Sequence, residues 1–272
     1  ELHTKTPNKS KYLSGSNQAN KEEYIQLAFD FFNNDSFWLI APYKVFDTGV
    51  ERSLVNYNGQ NALLITYTSG GSTPGDSYLW ILDKKGIPTS YKMWVSNIPI
   101  GGIEATWCNW NITEAGISLP TRHYIDLFGL ELNMGSVKAY NAKAKKLAQK
   151  ILTRINHEAY KNTRFLEWSF REKRFFKWDK EKHVVDVSWN DTKVILHPNN
   201  MSKSKLFINN TEVTKNKDSI VKRAERLFNN DSFWLVAPHK LFEPGIVRTI
   251  KKHNGKNALK VLYTIGGTTP GD

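Results

Sequence analysis

Apolar residues recur along this chain with two periods, and each period marks out elements. Val137, Tyr140, Ala144, Leu147, Ala148, Ile151 and Ile155 fall at helical spacing, with Lys143, Lys146, Lys150 and Arg154 on the opposite side. That pattern predicts an amphipathic helix. Tyr24, Leu27, Ala28 and Phe31 predict a second, and Ile220, Ala224, Leu227 and Phe228 a third. Between them lie short runs rich in aromatic and β-branched residues, at 164–171, 174–179, 184–189 and 193–196. In the third run Val185, Val187 and Trp189 alternate with Asp186 and Ser188, the period of a strand with one wet face. A second set of strands is predicted at 50–57, 60–68, 77–83, 89–97 and 102–111. Asn58-Gly59 supplies the positive φ that a two-residue type I′ hairpin requires. Short polar turns separate the runs, so an antiparallel meander is the expected topology.

The pattern occurs more than once. Residues 33–76 lie over 229–272 without a gap at an offset of 196, and 26 of the 44 positions are identical. The densest block is Asn33-Asn34-Asp35-Ser36-Phe37-Trp38-Leu39 against Asn229-Asn230-Asp231-Ser232-Phe233-Trp234-Leu235. Upstream the match continues at an offset of 194, with Leu2-His3 over Leu196-His197 and Lys9-Ser10-Lys11 over Lys203-Ser204-Lys205. A period this long has the size of a domain rather than of a solenoid repeat. The expected division is 1–138, the C-terminal part of a first β-rich unit, and 139–272, the N-terminal part of a second. Residues 77–194 then occur once. The expected fold class is α+β, with a curved antiparallel sheet packed by amphipathic helices, partly duplicated, and about nine to eleven strands in a full unit. Two partial sheets with unpaired edges are expected, or one unit closed by permutation with the surplus packed loosely. Leu64 becomes Lys260 while Leu63, Ile65 and Tyr67 stay apolar or aromatic, so the latter three should face the core.

Composition narrows the function classes. Fourteen Phe, eleven Tyr and nine Trp favour half-buried pleated surfaces. The apolar runs fall far short of the roughly 18 residues of a membrane span. Glu1 opens the chain without an initiator Met or signal peptide, which together with the repeat points to a piece of a longer chain. A lone Cys108 has no partner for a disulfide or a cysteine zinc cage. Residues 1–138 carry 11 Lys and Arg against 13 Asp and Glu, whereas 139–272 carry 27 against 13. The basic half could track phosphates or an anionic membrane surface, but interspersed acids favour a solvated face.

Catalytic and cofactor signatures are sparse. Ser69-Gly70-Gly71-Ser72 lies between strands rather than opening a helix, so it is no phosphate loop. The seven His, at 3, 123, 157, 183, 197, 239 and 253, form no ligand pair on a predicted helix. No metal or cofactor is expected. Paired carboxylates need no sequence spacing, which leaves Asp35, Asp76 and Glu104 as acid–base candidates, with a helix-end or turn cap the simpler reading of Asp35 and a turn role that of Asp76. The run 164–178 interleaves Arg and Lys with aromatics as nucleic-acid sheets do, yet Leu166, Trp168 and Phe170 share the face a core would need.

The helix at 142–156, Asn162-Thr163-Arg164-Phe165, Trp178-Asp179, the Asp-Ser-Phe-Trp-Leu segment followed by Ala-Pro-x-Lys-x-Phe, and the Thr73–Trp80 segment together resemble a family of bacterial envelope proteins. That family is similar in layout to the LolA-like, outer-membrane lipoprotein-sorting superfamily. The resemblance implies an open curved sheet plugged by helices, holding acyl chains or another hydrophobic ligand on its concave side, in the periplasm or anchored to a membrane. The function expected is non-enzymatic binding of a lipid, a lipoprotein or another apolar ligand, with Phe37, Trp38, Trp80, Trp94, Trp107 and Trp168 as lining candidates. The alternatives are a hydrolase or isomerase using Asp35 or Asp76 in a cleft, and nucleic-acid binding through 139–226.

Overall fold

The computed structural model of the chain describes residues 1–14 and 20–265. The second Thr-Pro-Gly-Asp block, at 269–272, lies outside the described residues. The chain divides into two compact units, one holding Glu1–Ile112 and Ser118–Lys138, the other holding Thr113–Ile117 with the rest from Ala139.

In the first unit helix α1 runs Lys21–Ile40. Glu22 and Glu23 lie in its first turn, where carboxylates meet the positive end of the helix dipole. It stops where Pro42 intervenes, in a 3-10 turn at Ala41–Tyr43. Asn33-Asn34-Asp35-Ser36, expected to cap or turn, lies inside this helix instead. The propensity penalty for such residues is at most about 0.7 kcal/mol each, which packing of the following Phe37 and Trp38 readily offsets.

Eight strands follow: β1 Val50–Tyr57, β2 Gln60–Tyr67, β3 Ser77–Leu82, β4 Pro88–Trp94, β5 Ile103–Thr106, β6 Cys108–Ile112, β7 Ser118–Ile125 and β8 Leu130–Asn133. They form one antiparallel sheet in the order β1-β2-β3-β4-β5-β7-β6, with β8 also on β7. Asn58 and Gly59 take φ of 50° and 78°, as a type I′ turn demands. The run 102–111, read as one strand, is two. Trp107 separates them, so β5 stays on β4 while β6 pairs with β7 in one register that runs through Asn109 (φ 51°). Ile65, Tyr78, Trp80, Tyr91, Met93, Ala105 and Trp107 form the core, and Phe37, Trp38, Leu63 and Tyr67 pack against it. Side chains from β1 to β7 thus converge on the end of α1, so the sheet curves round it.

The second unit opens with α2 Ala142–Arg154 and α3 His157–Asn162. Asn141 Oδ1 accepts from the Ala144 N–H at 3.0 Å and caps α2. Six strands, β9 Phe165–Phe170, β10 Arg174–Asp179, β11 Val184–Trp189, β12 Thr192–Leu196, β13 Lys205–Ile208 and β14 Thr211–Val213, pair in sequence order as one antiparallel sheet. Helix α4, Asp218–Val236, crosses β12 and β13 and buries Val221, Ala224 and Phe228 against Val185, Val187, Val194, Leu196 and Leu206. The Arg174 guanidinium grips the buried Asp231 of α4 with two hydrogen bonds, 2.6 Å from Nε and 3.1 Å from Nη2. Strands β15 Ile246–His253 and β16 Lys256–Tyr263 pair only with each other among the described residues.

The two matching segments take the same local structure. β15 and β16 stand at an offset of 196 from β1 and β2, with Ile246↔Tyr263 repeating the Val50↔Tyr67 register. The 3-10 turn Pro7–Lys9 recurs at Met201–Lys203, offset 194. His3 N–H donates to Ser10 Oγ at 2.9 Å, and His197 N–H to Ser204 Oγ at 3.0 Å. The fold is α+β with open antiparallel sheets. Strand number exceeds the sequence expectation: among the described residues the six strands β9–β14 and the eight strands β1–β8 together make fourteen distinct strands, because β7, β8, β13 and β14 fall outside the runs read as strands and the run 102–111 is split in two.

Candidate functional site

The first unit holds a cavity of about 850 Å³ between α1 and the concave face of its sheet. The carboxyl-terminal half of α1 supplies Phe37, Trp38 and Ile40, and the strands supply Val50, Tyr67, Tyr78, Tyr91, Met93 and Ile125. Phe31, Phe32 and Asn33 of the same helix also line it. Alternation along β4 explains the supply: Tyr91 and Met93 point inward and are buried.

Phe37 is the hub of this wall. Its ring lies 4.6 Å from that of Tyr78, 6.1 Å from Tyr91, 6.2 Å from Trp107 and 6.3 Å from Tyr67, in tilted or edge-on geometry that suits aromatic quadrupoles. Trp38 stands 5.1 Å from the ring of His123. His123 is wholly buried, and its Nδ1 lies 2.9 Å from the Thr106 carbonyl, which fixes Nδ1 as the protonated nitrogen and leaves Nε2 without a partner. Burial depresses its pKa below the usual histidine value, against the opposing pull of the Thr106 carbonyl and of the Trp38 backbone.

Polar groups in the wall are few and incompletely used. The phenol oxygens of Tyr67 and Tyr91 are buried without a hydrogen-bond partner. Burial, and then the charge of Asp47, push the Tyr67 phenol up to about 12. Burial also raises the Tyr91 phenol, with Tyr78 beside it adding to the effect. Both are therefore neutral donors at any physiological pH. Asp76 also reaches the cavity, but its carboxylate is already occupied: Oδ1 accepts from the Ser96 N–H at 2.8 Å and Oδ2 from the Thr73 hydroxyl at 2.6 Å.

The six aromatic candidates fall in four places. Phe37 and Trp38 line the cavity. Trp80 and Trp107 lie in the core, 5.8 Å apart, with Trp107 under Tyr91 at 5.2 Å; neither reaches the cavity wall. Trp94 lies outside it and is exposed, because the alternation that turns Tyr91 and Met93 inward turns Trp94 outward, onto Gly101 and Gly102. Trp168 belongs to the second unit, where it stacks on Phe176 at 4.8 Å. Sequence reading missed Tyr67, Tyr78 and Tyr91 as wall residues. The inward period of β2 and β4 carried that signal, but the ring of contacts arises only when the sheet curves.

The carboxylates do not converge. Asp35 is exposed on α1 with only the Asn34 amide against it among the described residues, Glu104 pairs with Lys92 at 3.6 Å, and Asp76 is bonded to Thr73 and Ser96. In the second unit the basic side chains of the sheet are interleaved with acids, as in Lys177–Glu167 at 2.8 Å and Lys193–Asp186 at 2.8 Å. Lys143, Lys146, Lys150 and Arg154 of α2 are exposed. Among the described residues no group of three or more His, Cys, Asp and Glu could hold a metal, and no helix is long and apolar enough to cross a membrane. Compared with protein-family models, curated proteins and solved structures, the chain matches none of them.

Proposed function

We propose that this chain is a non-enzymatic binder of an apolar ligand of the lipid class, held in the cavity beneath α1 of the first unit, and that it works in the cell envelope. The observation that carries the reading is a cavity of about 850 Å³ walled by Phe37, Trp38, Tyr78 and Met93, with two buried, unpartnered tyrosine hydroxyls in the wall. Ligand sites are concave and mostly apolar, with a few polar groups to orient the guest, and about 300–1,000 Å³ in size. A buried donor without a partner costs about 1–3 kcal/mol, so a ligand with an oxygen near Tyr67 or Tyr91 recovers that loss while its chain contacts the aromatic wall. The envelope location follows the family resemblance.

Movement of α1 would admit the ligand. None of its twenty residues is fully buried, so displacing it exposes less apolar surface than displacing a core helix would. Native mass spectrometry of protein purified gently from a bacterial host tests this. A reproducible adduct of lipid mass, lost in Trp38→Ala and in Tyr91→Phe at a higher lipid concentration than in the parent, is expected. A bare protein that takes up neither a fatty acid nor a phospholipid on titration would sink the reading.

A further inference from the structure

Helix α1 exposes the side chains that its matching helix buries. At the offset of 196, Ile25, Ala28, Phe32, Asp35 and Ser36 stand where α4 has Val221, Ala224, Phe228, Asp231 and Ser232. All five of the latter are buried. They lie on the β9–β14 sheet, with Phe228 edge-on to Trp178 at 5.3 Å and Asp231 held by Arg174. On α1, by contrast, Ala28, Phe32 and Asp35 are exposed, Ile25 and Ser36 are half-buried, and no cation pairs with Asp35 among the described residues. A helix face that only meets water has no need of apolar residues at i, i+3 and i+7 followed by a carboxylate at i+10.

The segment ahead of α1 points to the occupant. Residues 1–13 repeat the turn of 195–207, down to the His–Ser hydrogen bond. In the second unit this turn carries the chain from β12 into β13, so it is part of the sheet on which α4 lies.

We propose that the Ile25–Ala28–Phe32–Asp35 face of α1 is the docking surface for a second sheet of the β9–β14 kind, with residues 1–13 as its last turn and strand and with an arginine at the place of Arg174 opposite Asp35. The occupant is recognised by an apolar, aromatic concave face and one guanidinium. This inference differs from the ligand reading in its occupant and in the residues it rests on: Ile25, Ala28 and Asp35 lie off the cavity wall, and Phe32 alone of the four belongs to both.

The test is to fuse a second copy of residues 139–194 directly ahead of Glu1 of the full chain, which keeps the offset of 194, and to follow amide hydrogen exchange. Amides of residues 24–33 are expected to gain about tenfold or more in protection over the unextended chain. Asp35→Asn, or Arg174→Leu in the added copy alone, should remove most of that gain while α4 stays as protected as before. Unchanged exchange at 24–33, or an added segment that stays unfolded while the original 139–194 is protected, would overturn the proposal. So would protection in the unextended chain that rises with protein concentration, since that assigns the face to a second copy of the whole chain.

Discussion

Helices α1 and α4 share the block Asn-Asn-Asp-Ser-Phe-Trp-Leu, yet they bury different side chains of it and of the turns before it. In α4 the face holding Val221, Ala224, Phe228 and Asp231 is covered, and near the far end Trp234 is 72% exposed. In α1 the carboxyl-terminal end, with Phe37 and Trp38, packs into a sheet, and Phe32, the match of Phe228, is left 43% exposed. The difference teaches that the sequence of such a helix encodes two seats at once. Which of them is filled depends on which sheet the rest of the unit supplies. Burial is thus a property of context, and equal residues at equivalent positions should respond unequally to substitution.

The ion pair offers the sharpest contrast. Asp231 has no exposed side-chain surface and meets a partly buried Arg174, so removing the carboxylate leaves a guanidinium short of its acceptor. Asp231→Ala should destabilise the second unit by about 3 kcal/mol, at the low end of the range for broken buried pairs because Arg174 keeps some water. Asp35→Ala in the first unit should stay within about 0.5 kcal/mol. Exchange protection on each helix, measured in the same molecule, reads both. Equal losses would break the comparison.

Aromatic truncation should show the same asymmetry in both directions. Phe228→Ala removes a ring packed between Trp168 and Trp178 and is expected to cost about 3 kcal/mol, against less than about 1 for Phe32→Ala. At the other end the order reverses. Phe37→Ala opens the hub of the first unit's wall and should cost about 2 kcal/mol, while Phe233→Ala, whose ring meets only Trp234 and Tyr263 among the aromatics, should cost less. Denaturant unfolding followed separately in each unit by exchange decides it.

Much of this contrast was open to sequence reading, and the reason is local. Hairpin β1–β2 was legible because Asn58-Gly59 fixes its turn, and the inward set of β2 because Lys260 marks the wet position in the match. The Val185–Val187–Trp189 face was legible from strict alternation. The middle of α1 was not, because Asn33 to Ser36 reads as a cap by local preference and is held helical by Phe37 and Trp38, whose ring partners come from β2, β3, β4, β7 and Trp107. The cavity wall was half legible. A period-two pattern places Tyr91 on a face, but only the curvature of the sheet brings Tyr67, Tyr78 and Tyr91 to one ring, and curvature is not written in the period of any one strand.

A pH titration gives the smallest and most discriminating test, because each unit has one histidine with a depressed pKa in a different setting. His123 is fully enclosed in the first unit, with Trp38 and Trp107 on either side and Nε2 unpartnered. His239 in the second is half-exposed, stacked 4.1 Å from Tyr160, and lowered by burial first, then by His157 and Lys180. In both, the folded state binds its proton more weakly than the unfolded chain, so stability is complete above the ordinary histidine value of about 6.5 and is lost as pH falls below it. A proton on His123 enters an enclosed site where only the Thr106 and Trp38 backbone offsets the cost of burial, whereas one on His239 can reach water. Between about pH 7 and 5.5 the first unit should therefore lose more stability than the second. His123→Gln should flatten the first unit's profile and leave the second's untouched, read by exchange protection at Tyr91 and at Val187 across the titration. A first-unit profile that keeps its slope in His123→Gln would mean that carboxylates, and not the enclosed imidazole, set the acid limit of the cavity wall.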